Sequence, residues 1–216
     1  MPGVEVDWTQ QVHRQYANLA LREKHRAAIT DPRDARRLIN AIEAYEATNR
    51  LTCLALQFSA LTFARPGEVR HAEWTEIDWD AKLWRIPAEK MKARKPHLVP
   101  LATQTISVLE QLQPISGHGK YLFPSIRTAE RPMSEITVLA ALRRLGYEKH
   151  EMCAHGFRGM ASTILNENGV NRDWIEMQLA HSPRDTVRSA YNHAEFLEDR
   201  RNMMQWWADF LYDQGA

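Results

Sequence analysis

From Ala27 onward the chain reads with helical periodicity, interrupted by a stretch of short strand-like segments and without internal repeats. In "ITDPRDARRLINAIEAYE" the apolar residues Ala35, Leu38, Ile39 and Ile42 recur three and four positions apart, which places them on one helix face. Asp31 can accept backbone N–H groups at the start of this helix, and Pro32 fills the first position, where its missing N–H costs nothing. "LTCLALQFSALTFA" is apolar nearly all round, the pattern of a helix buried on every side. It is predicted to span 51–64 and to stop at Arg65, because Pro66 disfavours helical geometry in the residue before it. "PGEVRHAEW" then opens a new helix. Between Trp74 and Leu101 the pattern shortens to "TEIDWD", "KLWRIP" and "HLVPL", three strands of a small antiparallel sheet, with "EKMKARKPH" connecting the second and third.

Helices follow near 103–112 and 134–145, the second starting at a Ser134 cap and ending before Gly146, with "KYLFPS" extended between them. The helix opened by "HGFR" runs to Asn168-Gly169, and Asn171 caps "RDWIEMQLA", which ends at His181 ahead of Pro183. The tail is helical with a break near Asn192. Residues 1–26 are polar and weakly periodic, as expected of a separable extension or linker, which leaves 27–216 as one mainly helical α+β domain.

Bulk properties change this picture little. Of 216 residues 44% are hydrophobic and 25% charged, ordinary values for a soluble globular chain. The net charge of +1 means that any basic surface must come from uneven placement, and Lys82, Arg85, Lys90, Lys92, Arg94 and Lys95 do crowd one short stretch, whereas Glu195, Glu198 and Asp199 lie elsewhere. Two cysteines, Cys53 and Cys153, make no disulfide framework and point to a reducing, cytoplasmic compartment. The start "MPGVEVDWTQ" lacks the basic and apolar regions of a signal peptide, and the apolar run at 51–64 is too short and too polar to span a bilayer.

The candidate chemistry begins at "AHGFRGMAS", where His155 and Arg158 stand three positions apart at a helix start and so share a face. Alone, such a pair describes a solvated helix face; it becomes an anion site only if other cations converge on it. Arg65 lies at another helix start, His181 at a helix end, and Tyr191 ten residues later. Taken singly, Arg65 reads as a solvated side chain, Lys92 as part of an exposed charge run, and Tyr191 as a core-facing ring. Cys153 beside His155 raises a thiol nucleophile, and Met203, Met204, Trp206 and Trp207 raise a stacking box, though at helical spacing they read as core or as a docking surface.

Together, "LTFARPGEVR", "MKARKPHLVPL", "HGFRGMASTILNE", "QLAHSPRDTVRSAYNHAEFLEDRR" and "MMQWWADFL" resemble the catalytic domain of tyrosine recombinases, most closely the prophage-type integrases. Each segment is weak, but in this order they thread the chain from about residue 27 onward. The resemblance implies the tyrosine recombinase catalytic-domain fold and a catalytic set of Arg65, Lys92, His155, Arg158, His181 and the nucleophile Tyr191, with Glu68 supporting the site and Lys90, Arg94 and Lys95 contacting DNA. It also implies cleavage and rejoining of double-stranded DNA at attachment sites through a 3′-phosphotyrosyl bond, with neither metal, ATP nor any other cofactor. The protein is then expected to be a monomer alone and a tetramer on DNA, in the bacterial cytoplasm. The arm-binding and core-binding domains that precede this region in such integrases are not among these residues. The alternatives are a silent DNA-binding module of the same fold, a metal-dependent phosphohydrolase using His155, His181 and His193, and a topoisomerase-like enzyme that only nicks and reseals.

The proposed chemistry suits these residue types. Attack on a phosphodiester builds charge on its non-bridging oxygens, and positioned cations can stabilise it. No carboxylate cluster for magnesium is apparent, but two guanidiniums offer rigid planar forks for phosphate oxygens.

Overall fold

One helix organises the interior. The structure, a computed structural model, describes residues 27–45, 50–181 and 196–213. The expected linker of residues 1–26 and the break near Asn192 lie outside the described residues. The first described helix, α1 (Pro32–Ala44), starts as its sequence requires: the Asp31 carboxylate accepts the backbone N–H groups of Arg33 at 2.7 Å and Asp34 at 3.3 Å, and Ala35, Leu38, Ile39 and Ile42 are buried. The next, α2 (Arg50–Thr62), is buried at every position from Thr52 to Thr62. Its polar groups are satisfied internally, with the Ser59 and Thr62 hydroxyls donating to the Ala55 and Phe58 carbonyls and the Cys53 thiol to Ile42.

The helix stops two residues short of the expected end because Phe63 takes a left-handed conformation, φ 38°. Short α3 (Pro66–Arg70) follows, shorter than expected, and the chain then turns into a 3₁₀ turn at Trp74–Glu76. The predicted sheet forms with strands β1 (Ile77–Asp78), β2 (Leu83–Ile86) and β3 (His97–Pro100) in that spatial order, all antiparallel. Trp84 faces Ile77 on one side and Val99 on the other. Its buried indole meets Phe58 of α2 at 5.3 Å between centroids, which fastens the sheet to the central helix.

Helix α4 (Thr103–Ser116) runs four residues beyond its predicted end and carries Pro114 in its last turn, where a single missing N–H is tolerated. The "KYLFPS" segment is more than extended: β4 (Pro124–Ser125) pairs with β5 (Thr128–Pro132) as a second, two-stranded sheet. Helix α5 (Thr137–Arg144) begins three residues after Ser134, whose backbone carbonyl, not its hydroxyl, accepts the Thr137 N–H. Helix α6 (Gly156–Glu167) ends ahead of Gly169 at φ 73°, and α7 (Arg172–Gln178) carries the expected Asn171 cap, whose side chain accepts the Asp173 N–H at 2.9 Å. Gly156 is required by space: a Cβ there would lie 2.5 Å from the Ala27 carbonyl oxygen and 2.7 Å from the Met152 sulfur.

Helix α8 (Leu197–Tyr212) closes the core. Met203, Met204 and Trp207 are buried, with the Trp207 indole donating to the Ala60 carbonyl at 2.9 Å, while Trp206 turns outward and stacks on Phe210. The Met/Trp box is therefore chiefly core. Among the described helices, α2 packs against α1, α3, α4, α5, α6 and α8. No helix among the described residues is long and apolar enough to cross a membrane.

Candidate active site

Two left-handed residues and an extended one bring Arg65, Glu68, Arg158 and His181 together. The left-handed Phe63 ends α2 and aims its carbonyl at α6, where the Arg158 guanidinium donates Nη1–H to it at 3.0 Å. Extended Arg65 precedes α3 and is held by Glu68 from the first turn of that helix: the carboxylate accepts the Arg65 backbone N–H at 2.9 Å and its guanidinium at 2.7 Å. α7 ends in Leu179 and in Ala180 at φ 48°, so its last carbonyls are offered to both arginines. Arg158 Nη2 donates to Leu179 O at 2.6 Å, while Arg65 Nη2 reaches the same oxygen at 3.5 Å and Ala180 O at 3.0 Å. Two guanidiniums ninety-three positions apart thus converge on one carbonyl oxygen.

His181 follows immediately. Its Nδ1 lies 2.7 Å from Glu176 Oε2 and its Nε2 3.4 Å from Arg158 Nη2. A carboxylate only accepts, so Nδ1 carries the proton and Nε2 is turned toward Arg158. His155 caps α6 one turn before Arg158 and is half-buried. Burial pushes the Arg158 guanidinium down to about 10, the positive charge of Arg65 adds to this, and Glu68 and Glu176 oppose it. It is charged at neutral pH.

Behind this group lies a buried polar layer that sequence reading missed. The His97 ring, on β3, lies with Nε2 3.2 Å from the Gln178 carbonyl oxygen, and Arg200 of α8 donates to the Gln178 side chain at 2.6 Å and to the Leu98 carbonyl. Burial above all, then the charges of Arg200, Arg65 and Arg158, push the His97 imidazole down to about 3, so it is neutral. Glu176 and His97 sit inside segments already singled out, "RDWIEMQLA" and "HLVPL", but nothing in their spacing distinguishes them. Arg200, in the charged run "EDRR", reads as a solvated residue yet is 1% exposed.

The remaining candidates are placed differently. Lys92, Arg94 and Lys95 are exposed on the β2–β3 connection, and no described contact ties Lys92 to Arg65 or Arg158. Lys90, expected to face DNA, instead turns inward: its ammonium donates to the His71 carbonyl at 2.8 Å, to Glu73 at 2.6 Å and to Glu76. Its charge is spent on two carboxylates. Arg85 of the same basic stretch is likewise paired, with Asp78 at 2.7 Å. The Cys153 thiol donates to the Ala27 carbonyl at 3.3 Å. Tyr191 and His193 lie outside the described residues. Among the described residues no group of three or more His, Cys, Asp or Glu is gathered as for a metal ion.

Comparison with known proteins gives a consistent result. Residues 29–198 match the phage integrase family. The integrase of Enterobacteria phage P4 is 48% identical over an alignment covering 74% of this chain and 40% of that protein. Prophage integrase IntA of Escherichia coli (strain K12) is 45% identical, covering 74% of this chain and 38% of that protein. The chain therefore spans about two fifths of the length of these relatives. Among solved structures, a lambda integrase dimer bound to a COC′ core site shares the fold at a TM-score of 0.58 and 20% identity, covering 79% of this chain and 49% of that one. An integrase from mycobacterium phage Brujita does so at a TM-score of 0.61 and 14% identity, covering 85% and 58%.

Proposed function

The chain belongs to the phage integrase family, and on that premise we propose that it cuts and rejoins double-stranded DNA at attachment sites by tyrosine recombinase chemistry. The convergence of Arg65 and Arg158 on the Leu179 carbonyl, with His181 alongside, is the observation that carries this reading. A scissile phosphate beside that oxygen meets two planar forks, each with more N–H donors than its present partners use. Arg65 and Arg158 take the non-bridging oxygens and stabilise the charge that builds there. His181, on gaining a proton at Nε2, donates to one of the same oxygens while Glu176 balances its charge.

His155 accepts the phenolic proton of Tyr191, whose oxygen attacks phosphorus. The bond to the 5′ oxygen breaks as Lys92 gives that oxygen a proton, leaving a 3′-phosphotyrosyl bond and a 5′-hydroxyl. Rejoining runs the same steps backwards, so the phosphodiester energy is kept and ATP is not consumed. Residues 27–216 act as the catalytic domain and 1–26 as a linker. Arg94 and Lys95 contact DNA backbone, and the protein is a monomer alone and a tetramer on paired sites, acting in the bacterial cytoplasm.

The test is a nicked suicide duplex carrying the core sequence from the junctions of the element that encodes the chain. Protein should become covalently trapped on this DNA, with EDTA having no effect and Tyr191→Phe abolishing the adduct. An adduct that persists in Tyr191→Phe removes Tyr191 as nucleophile, loss of the adduct with EDTA favours a metal-dependent phosphohydrolase, and binding without any adduct favours a silent DNA-binding module.

A further inference from the structure

Lys92 leaves the sheet on an exposed connection, yet a general acid must meet its oxygen within hydrogen-bond reach. The root of that connection is built to resist movement. After β2 the chain makes a 3₁₀ turn at Ala88–Lys90, and the Lys90 ammonium is shared among the His71 carbonyl, Glu73 and Glu76. His71 caps the end of α3, so the ammonium sits where the helix dipole favours a cation. Glu76 is itself fixed, accepting the buried Trp84 indole N–H at 2.9 Å. Burial would push the Lys90 ammonium down, but Glu73 and Glu76 hold it above the ordinary lysine value. Met91, the next residue, is 4% exposed. Lys92 is thus the first exposed residue beyond a three-point anchor, which ends on the turn after α3, the helix whose start carries Arg65 and Glu68.

We propose that Lys90 is a positioning residue whose ion pairs with Glu73 and Glu76, together with its hydrogen bond to the His71 carbonyl, fix the root of the β2–β3 connection to the segment that joins α3 to β1 and so hold Lys92 at the departing 5′ oxygen. This rests on the reading of Lys92 as general acid. In the step concerned, the Lys92 ammonium gives its proton to the 5′ oxygen as the phosphorus–oxygen bond breaks and the Tyr191–phosphorus bond forms. The amine recovers the proton from the 5′-hydroxyl on rejoining. Lys90 transfers nothing.

The test compares single-turnover cleavage, at saturating DNA, of two nicked suicide duplexes that differ only in the bridging atom at the scissile 5′ position, oxygen or sulfur. A thiolate leaves without a proton. Lys92→Ala should be slow on the oxygen substrate and recover on sulfur. Lys90→Gln should lose roughly 100-fold on oxygen, the scale expected when a catalytic group is misplaced by about an ångström, and also recover on sulfur. Glu73→Gln, which keeps the Lys90–Glu76 pair, should show a smaller loss with the same recovery and carries the comparison if Lys90→Gln does not fold. Equal losses of Lys90→Gln and Glu73→Gln on both substrates, or no loss on oxygen, overturn the proposal while Lys92→Ala still recovers. A Lys92→Ala variant that stays slow on sulfur overturns instead the reading of Lys92 on which it depends.

Discussion

Arg158 is 5% exposed and would be costly to bury were its donors not met by the Phe63 and Leu179 carbonyls. His97 reaches the opposite solution: closed in beside three arginines, it gives up its charge. Its folded value near 3 lies below the ordinary 6.5, so the unfolded chain binds the extra proton between those limits. The stabilisation is therefore complete above about pH 6.5 and is lost as pH falls toward 3, at up to about 1.4 kcal/mol per pH unit. Urea midpoints measured from pH 7 to pH 4 should show this decline, and His97→Gln, which can still donate to the Gln178 carbonyl but does not titrate, should flatten it relative to the parent. A parallel decline in the variant would assign the slope to other groups. At this scale the short, ordered motifs single out Arg65, Glu68, Arg158 and His181, and the structure brings these four together. Of the residues that sequence reading missed, His97, Gln178 and Arg200 act through burial and through contacts between distant segments, neither of which is visible in local spacing, while Glu176 meets His181 only because α7 ends and the chain turns between them.

Helix boundaries were legible where a residue enforces them locally. Asp31 with Pro32, Pro66 and Asn171 each start a helix by satisfying or lacking backbone N–H groups, and all three start helices in the structure. Boundaries set by tertiary contact were not legible: α2 ends where Phe63 turns to serve Arg158, α4 runs through Pro114, and β4 is too short to show alternation. The start of α6 is the boundary that matters most, because Arg158 sits in its first turn and Gly156 lies against the Ala27 carbonyl and Met152. Gly156→Ala must push α6 away from that backbone. Thermal unfolding should show a loss of roughly 1–3 kcal/mol, the usual cost of overpacking, and cleavage should fall as Arg158 leaves the Leu179 carbonyl. Unchanged stability would mean that the segment around Ala27 yields freely.

Across the whole molecule, α2 serves as the shared support that lets α3, α6 and α8 present groups from distant parts of the sequence to one place. The mixed fold, mainly helical with a three-stranded sheet, was readable from the change of period between Trp74 and Leu101, and the core from its apolar stripes. The distribution of charge was less readable. Counting cations along "KLWRIPAEKMKARK" suggests a uniformly basic hairpin, whereas Lys90 and Arg85 are paired with acids from the 3₁₀ turn and from β1, leaving Lys82, Lys92, Arg94 and Lys95 exposed.

The proposal that Arg65 and Arg158 meet one scissile phosphate is tested most directly by removing the charge they would neutralise. Single-turnover cleavage by the parent, Arg65→Ala and Arg158→Ala should be measured on a suicide duplex with a normal scissile phosphate and on one with a neutral methylphosphonate at that position. On the phosphate each variant should be slower by roughly 100- to 1,000-fold, the scale of losing one electrostatic donor to a developing oxyanion, and on the methylphosphonate this penalty should largely vanish for both. The same penalty on both substrates would contradict a role for these guanidiniums in neutralising the scissile phosphate.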